Sequence, residues 1–211
     1  MKLSRPVDDI ITGFDRALRA LTGAYASTRP SPGNDIADAA MADDQRTHAA
    51  GLMRINHCGE ICAQALYEGQ ALTARSSEAR EALLQAAEEE RDHLSWCRQR
   101  LDELEASPSV FDPLFYAASF AVGAATGLAG DKISLGFVEA TEDQVVQHLE
   151  SHLEALPPED QRSRAILDEM RADEAEHGAH ALSLGGAEFP QPVKQGMALL
   201  SKVMTRTTYR L

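Results

Sequence analysis

The stretch EEERDHL, residues 88–94, sets a carboxylate and an imidazole, Glu90 and His93, three residues apart inside a helical pattern. At that spacing two side chains leave one face of a helix, about 60° apart around its axis. Leu83, Ala86, Ala87, Leu94, Cys97 and Leu101 share that face, so it is the one that packs inward. A carboxylate taken into a core without a partner costs several kcal/mol. Glu90 must therefore be protonated, ion-paired or metal-bound.

The same device recurs in RADEAEHGAHAL, residues 171–182, where Glu174 and His177 share a face with Leu167, Met170 and Ala181. One such pair is weak evidence, because Glu and His are ordinary surface residues. Two pairs on separate helices, both on apolar faces, are far more specific. Two further long helices each offer a single inward acid. Glu142 lies with Leu135, Val138, Val145, Val146 and Leu149, and Glu60 with Met53, Asn56, His57, Ala63 and Tyr67. Glu60 precedes Glu90 by 30 residues and Glu142 precedes Glu174 by 32, so two helix pairs of similar layout follow one another. One Glu from each of two helices and Glu-x-x-His from each of the other two is the ligand set of ferritin-like di-iron and di-manganese bundles. Four carboxylates and two imidazoles suit two iron ions, with hard oxygen donors and one nitrogen each; manganese accepts the same ligand types. Glu89 and Asp173, one residue ahead of each motif glutamate, are placed to bond the far nitrogen of a ligand histidine.

The rest of the chain fits this reading. Its 211 residues allow one domain with a sizeable core and an appended segment. Aromatic residues make up only 5% and no stretch alternates like a strand, so the class is all-α. With 33 acidic against 20 basic residues the formal charge is −13, which excludes a basic nucleic-acid face. Cys58, Cys62 and Cys97 form no CxxC pair and suit a reduced, cytosolic chain. The N-terminus has acids where a secretory signal needs an apolar run. Residues 8–23 read as an amphipathic helix with Ile10, Ile11, Phe14, Leu18 and Leu21 on one side. STRPSPGND, residues 27–35, reads as a linker, so residues 1–45 stand apart from a bundle domain over 46–211. Residues 114–130, LFYAASFAVGAATGLAG, carry no charge and fall slightly short of the ~20 residues a spanning helix needs. They suit a buried helix or one lying on a membrane surface.

RINHCGEICAQALYEGQ (54–70), EEERDHL, GFVEATEDQVVQHL (136–149) and RADEAEHGAHAL resemble, in order, the ligand segments of the demethoxyubiquinone hydroxylases, carboxylate-bridged di-iron monooxygenases of ubiquinone biosynthesis. The resemblance runs from about residue 47 to the end. It implies that Glu60 and His93 bind one iron and Glu142 and His177 the other, with Glu90 and Glu174 bridging. It further implies hydroxylation of a polyprenyl methoxy-methyl-benzoquinol, with O2 as co-substrate and NADH or another reductant. The apolar segment then becomes an interfacial helix on a four-helix bundle, with Phe115, Phe120, Val122 and Leu128 toward a greasy entry path. That places a peripheral protein on the cytoplasmic face of the cell membrane, alone, as a homo-oligomer or in a quinone-biosynthesis complex. The competing readings are an iron storage or ferroxidase protein of the same bundle type, and a metal-free helical interaction protein.

Several chemistry-bearing residues remain. In NHCGE, residues 56–60, Glu60 is the expected ligand, while Asn56 and His57 orient the site from nearby. Gly59 admits a neighbouring helix or the substrate. Tyr67 is expected near the metals or in the core. His148 and His152 stack one turn apart but off the inward face of their helix; His148 reads as a solvated histidine with a quinol-side role as the alternative. Trp96 reads as packing.

Overall fold

In a computed structural model the described residues, 5–24 and 27–211 with side chains from residue 11 onward, form seven helices and no strand. They are α1 (Arg5–Thr22), α2 (Asp43–Thr73), α3 (Ser77–Glu103), α4 (Asp112–Ala129), α5 (Asp131–Ala155), α6 (Gln161–Ser183) and α7 (Gln191–Thr208). Helices α2 with α3 and α5 with α6 form two packed pairs, and together they make a helical bundle.

Local chemistry sets the joints. Ser76 caps α3 by accepting from the backbone N–H of Ala79 at 3.1 Å. Asp131 accepts from the backbone N–H groups of Arg75 and Ser76, both at 2.9 Å, and so ties the α2–α3 turn to the start of α5. Asp160 caps α6 through the N–H of Ser163 at 3.0 Å, and also takes Arg100 Nη2 at 2.8 Å. Arg100 is fully buried, and its charge is met by Asp160, Asp38 and Glu103 together.

The uncharged segment forms α4, which lies along α2. The contact is close enough that a Cβ at Gly123 would run into the Leu66 carbonyl, and one at Gly69 into that of Phe120. Gly59, where close approach was expected of a neighbouring helix, has open space beside it. The approach falls two turns or more further along, where the α4 glycines meet α2. Helix α4 is neither buried nor free. Tyr116, Gly123 and Gly127 face inward, while Leu114, Val122 and Leu128 are 64%, 43% and 66% exposed. No helix among the described residues is long and apolar enough to cross a membrane. On α1 the expected apolar stripe is split: Ile11, Phe14 and Leu18 are exposed, while Leu21 packs on the bundle with Ala17 and Ala20; Ile10 lies outside the described side chains.

Beside a small cluster of Ala20, Ile61, Ala65, Leu94 and Tyr116, where α1 and α4 meet α2 and α3, the core has two layers. One gathers Met53, Trp96, Cys97, Leu101, Leu149 and Leu167; the other gathers Tyr67, Leu83, Ala87, Leu135 and Val138. The inward acids and histidines occupy the space between these layers.

Candidate metal centre

Each of α2, α3, α5 and α6 brings its inward acid from one apolar layer toward the other. Glu60, Glu90, Glu142 and Glu174 are all 3% exposed or less, and His93 is fully buried. One donor atom from each of Glu60, Glu90, His93 and Glu174 falls within 4.8 Å of all the others. His93 Nδ1 lies 3.1 Å from Glu90 Oε2, 3.0 Å from Glu174 Oε1 and 3.8 Å from Glu60 Oε2. His177 Nδ1 lies 3.2 Å from Glu90 Oε1 and 3.0 Å from Glu174 Oε2. Glu90 and Glu174 therefore each turn one oxygen toward each imidazole. Glu142 and His177 fall outside that four-residue group, and Glu142 Oε1 accepts a hydrogen bond from the buried Tyr67 hydroxyl.

The far nitrogens are held as well. His93 Nε2 is 2.8 Å from Asp173 Oδ2, and His177 Nε2 is 2.8 Å from Glu89 Oε2. A narrow cleft of about 50 Å³ reaches His177 between Leu83, Ala86, Glu89, Leu135 and Val138.

The protonation pattern follows from crowding acids in a dry layer. Burial pushes the Glu60 carboxyl well above its ordinary range; bonding to His93 opposes this, and Glu90 and Glu174 add to it. Glu142 is raised likewise, by burial and then by Glu174 and Glu90. For Glu90 burial also acts upward, but bonds from His177 and His93 outweigh it and hold the carboxyl low. Burial opposes a charge on His93, yet Glu174 and Asp173 raise it well above the usual imidazole range. His177 rises to about 12 because its bonds to Glu174 and Glu90 outweigh burial. Without a metal ion, protons do the balancing, and an entering cation displaces them.

The donor set of Glu60, Glu90, His93 and Glu174 fits a metal ion. Glu142 Oε2 is buried with no hydrogen-bond partner, while Glu90 Oε1 and Glu174 Oε1 have only an imidazole nitrogen nearby, at 3.2 and 3.0 Å and poorly aligned. Buried acceptors of this kind need a partner, and a cation between them supplies it.

Other expected residues sit elsewhere. His57 lies apart from the cluster, its Nδ1 3.2 Å from Asp112 Oδ2 at the head of α4. Asn56 accepts from His152 Nδ1 at 2.8 Å. His152, expected off the inward face, is buried there instead, because α2 packs across that side of α5 and offers Asn56 as its partner. His148 is not a solvated histidine. Its ring lies 4.1 Å from that of His152, and its Nε2 is buried without a partner. Trp96 packs in the core, 5.4 Å from the His93 ring, as its sequence context suggested. The reading of residues 27–35 as a linker had no place for Arg29. Its Nη2 lies 2.5 Å from Asp173 Oδ2, and a lone arginine in a Pro/Gly-rich stretch carries no sequence signal for that.

Comparison with known proteins decides the family. The family model described as Ubiquinone biosynthesis protein COQ7 matches residues 47–208. The chain belongs to the COQ7 family. It is 56% identical over 207 residues to the 3-demethoxyubiquinol 3-hydroxylase of Pseudomonas paraeruginosa, covering 98% of this chain and 96% of that protein. The enzyme of the same name from Pseudomonas fluorescens gives the same figures, and that of Ectopseudomonas mendocina is 57% identical over the same shares. In this COQ7 chain all six expected acids and imidazoles lie inside the matched span. The comparisons favour a hydroxylase over the storage reading.

Proposed function

We propose that this protein is a 3-demethoxyubiquinol 3-hydroxylase, a ferritin-like di-iron monooxygenase of ubiquinone biosynthesis. Family membership supports the activity. The observation that carries the di-iron reading is the buried layer in which Glu90 and Glu174 each face both His93 and His177.

Glu60 and His93 would hold one iron ion and Glu142 and His177 a second, with Glu90 and Glu174 shared between them. When bound, the metals supply the two electrons that activate O2 for attack on the open carbon of the quinol ring. The chain's own residues prepare that event. The layers around Met53 and Leu167 on one side, and Leu83 and Val138 on the other, keep bulk water from the acids. Asp173 and Glu89 hold the imidazoles by their far nitrogens, which fixes the ring planes. Burial, reinforced by Glu142, raises the Tyr67 phenol well above its usual range, so its proton stays on the oxygen and orients the Glu142 carboxylate.

A benzoquinol with a polyprenyl tail is the substrate of this reading, and O2 and a reductant such as NADH complete it. The exposed side chains Leu114, Val122 and Leu128 suit an α4 that rests on a membrane surface, at the cytoplasmic face, and accepts the tail there. The catalytic domain covers residues 46–211, in keeping with a family match that begins at residue 47.

The test joins iron analysis to turnover. Purified protein should hold two irons per chain and, once reduced, transfer one atom of labelled O2 to a demethoxyubiquinol. Iron uptake without hydroxylation would refute the activity, and hydroxylation by iron-free protein would refute the metal assignment.

A further inference from the structure

Residues 27–38 are not a slack connector. They lie along the seam between α3 and α6. Ser27 Oγ donates to Asp92 Oδ1 at 2.9 Å, and Thr28 donates its backbone N–H to Oδ1 at 2.6 Å and its hydroxyl to Oδ2 at 2.8 Å. Further along, Asn34 takes Gln99 Nε2 at 2.8 Å, and the Ile36 carbonyl takes Arg162 Nε at 2.6 Å. The strap is thus pinned to both helices.

Between these anchors stands Arg29. Its guanidinium carbon is 4.8 Å from the Trp96 ring centroid, and its carbonyl accepts from Trp96 Nε1 at 3.3 Å. Arg29 Nε reaches Asp92 Oδ2 at 3.1 Å and Nη2 reaches Asp173 Oδ2 at 2.5 Å. Asp173 Oδ2 is the oxygen that holds His93 Nε2. One carboxylate oxygen is therefore shared between a guanidinium and an imidazole. The matching contact in the other half is built differently. Glu89, which holds His177, is 44% exposed and takes the neutral amide of Gln85, Nε2 to Oε1 at 3.1 Å.

We propose that Arg29 is a positioning residue that makes the two metal positions unequal, by clamping Asp173 onto His93 with a cation while Glu89 beside His177 is held by the neutral amide of Gln85. The inference rests on the di-iron reading above. An aspartate at a helix surface has water as an alternative partner, and a planar fork locked over Trp96 removes that freedom. The guanidinium also draws charge from Asp173 and weakens its pull on the imidazole proton. That effect acts at one remove, whereas the clamp decides whether Asp173 meets His93 at all. Anchoring wins, and the His93 position binds the tighter ion.

The experiment titrates the metal-free full chain with Co²⁺, a coloured divalent probe, following both absorption and bound metal. The wild-type protein should fill in two steps. Arg29→Gln should weaken the tighter step about ten- to a hundredfold, the loss typical of a removed ligand partner, and leave the weaker step in place. Arg29→Met keeps the stem over Trp96, guards against a variant that fails to fold, and should behave alike. Glu89→Gln should weaken only the second step. Arg29 variants that leave both steps unchanged, or weaken both equally, would overturn the proposal. Wild-type protein that takes up no Co²⁺ would bring down the di-iron reading itself, and this inference with it.

Discussion

The half of the centre around His93 and the half around His177 are written with the same motif and built to different standards. His93 is fully buried, shares a tight donor group with Glu60, Glu90 and Glu174, and leans on a carboxylate held by Arg29. His177 borders a cleft and leans on a half-exposed glutamate, while Glu142 is turned toward Tyr67. Equal spacing along two helices does not make equal sites. What lies against the outer side of each helix differs, and that side is where the far nitrogen of each imidazole finds its partner.

Removing what the halves share should do the most damage. Glu174→Ala takes away the carboxylate that faces both imidazoles, so iron content should fall close to zero and hydroxylation should disappear. Glu60→Ala and Glu142→Ala should each empty one half, and His57→Ala should keep both irons; elemental analysis of the four proteins separates these outcomes.

The next contrast is between Asp173→Asn and Glu89→Gln. Metal affinity in the first should drop about tenfold to a hundredfold at one position. The second should lose less, because a partner already half in water gives up less order. Metal competition with a chelator measures both, and equal losses would erase the distinction between the halves.

Tyr67→Phe addresses the Glu142 side alone. A buried carboxyl deprived of its donor costs about 1–3 kcal/mol, so the metal-free protein should melt lower while iron stoichiometry is retained. A melting temperature that does not move would show that Glu142 needs no partner there.

A control lies outside both halves. Burial lowers the His152 imidazole to about 3, with His148 and His48 adding to the effect. The unfolded chain then binds a proton below about pH 6.5 that the folded chain refuses, so stability falls as pH drops through that value and keeps falling toward pH 3. The loss should reach roughly 2 kcal/mol by pH 5. Denaturant melts of the wild type and of His152→Gln should diverge over that window, since glutamine cannot take up the proton.

Much of the centre was legible in the sequence because a charge on an apolar helical face has few explanations. Glu90 and Glu174 declare themselves by their neighbours at three and four residues, and their histidines follow at helical spacing. Glu89 and Asp173 were legible for the same reason, since a residue preceding a motif glutamate sits at the edge of the same face. His152 was not. Its angle on α5 points away from Glu142, and only the packing of α2 across that side makes the direction inward. Composition also misled at residues 27–35, where proline and glycine mark a break in helix but say nothing about whether the chain packs afterwards.

Helix type, helix order and the inward acids came from the sequence alone, because periodicity and desolvation are local constraints that each helix satisfies on its own face. Tertiary structure decided the rest. It laid α4 on α2 through glycines at the crossing, sent His57 to Asp112, and carried Arg29 across two helices to Asp173. Those contacts join residues 51 to 144 positions apart, and no periodic pattern reaches that far.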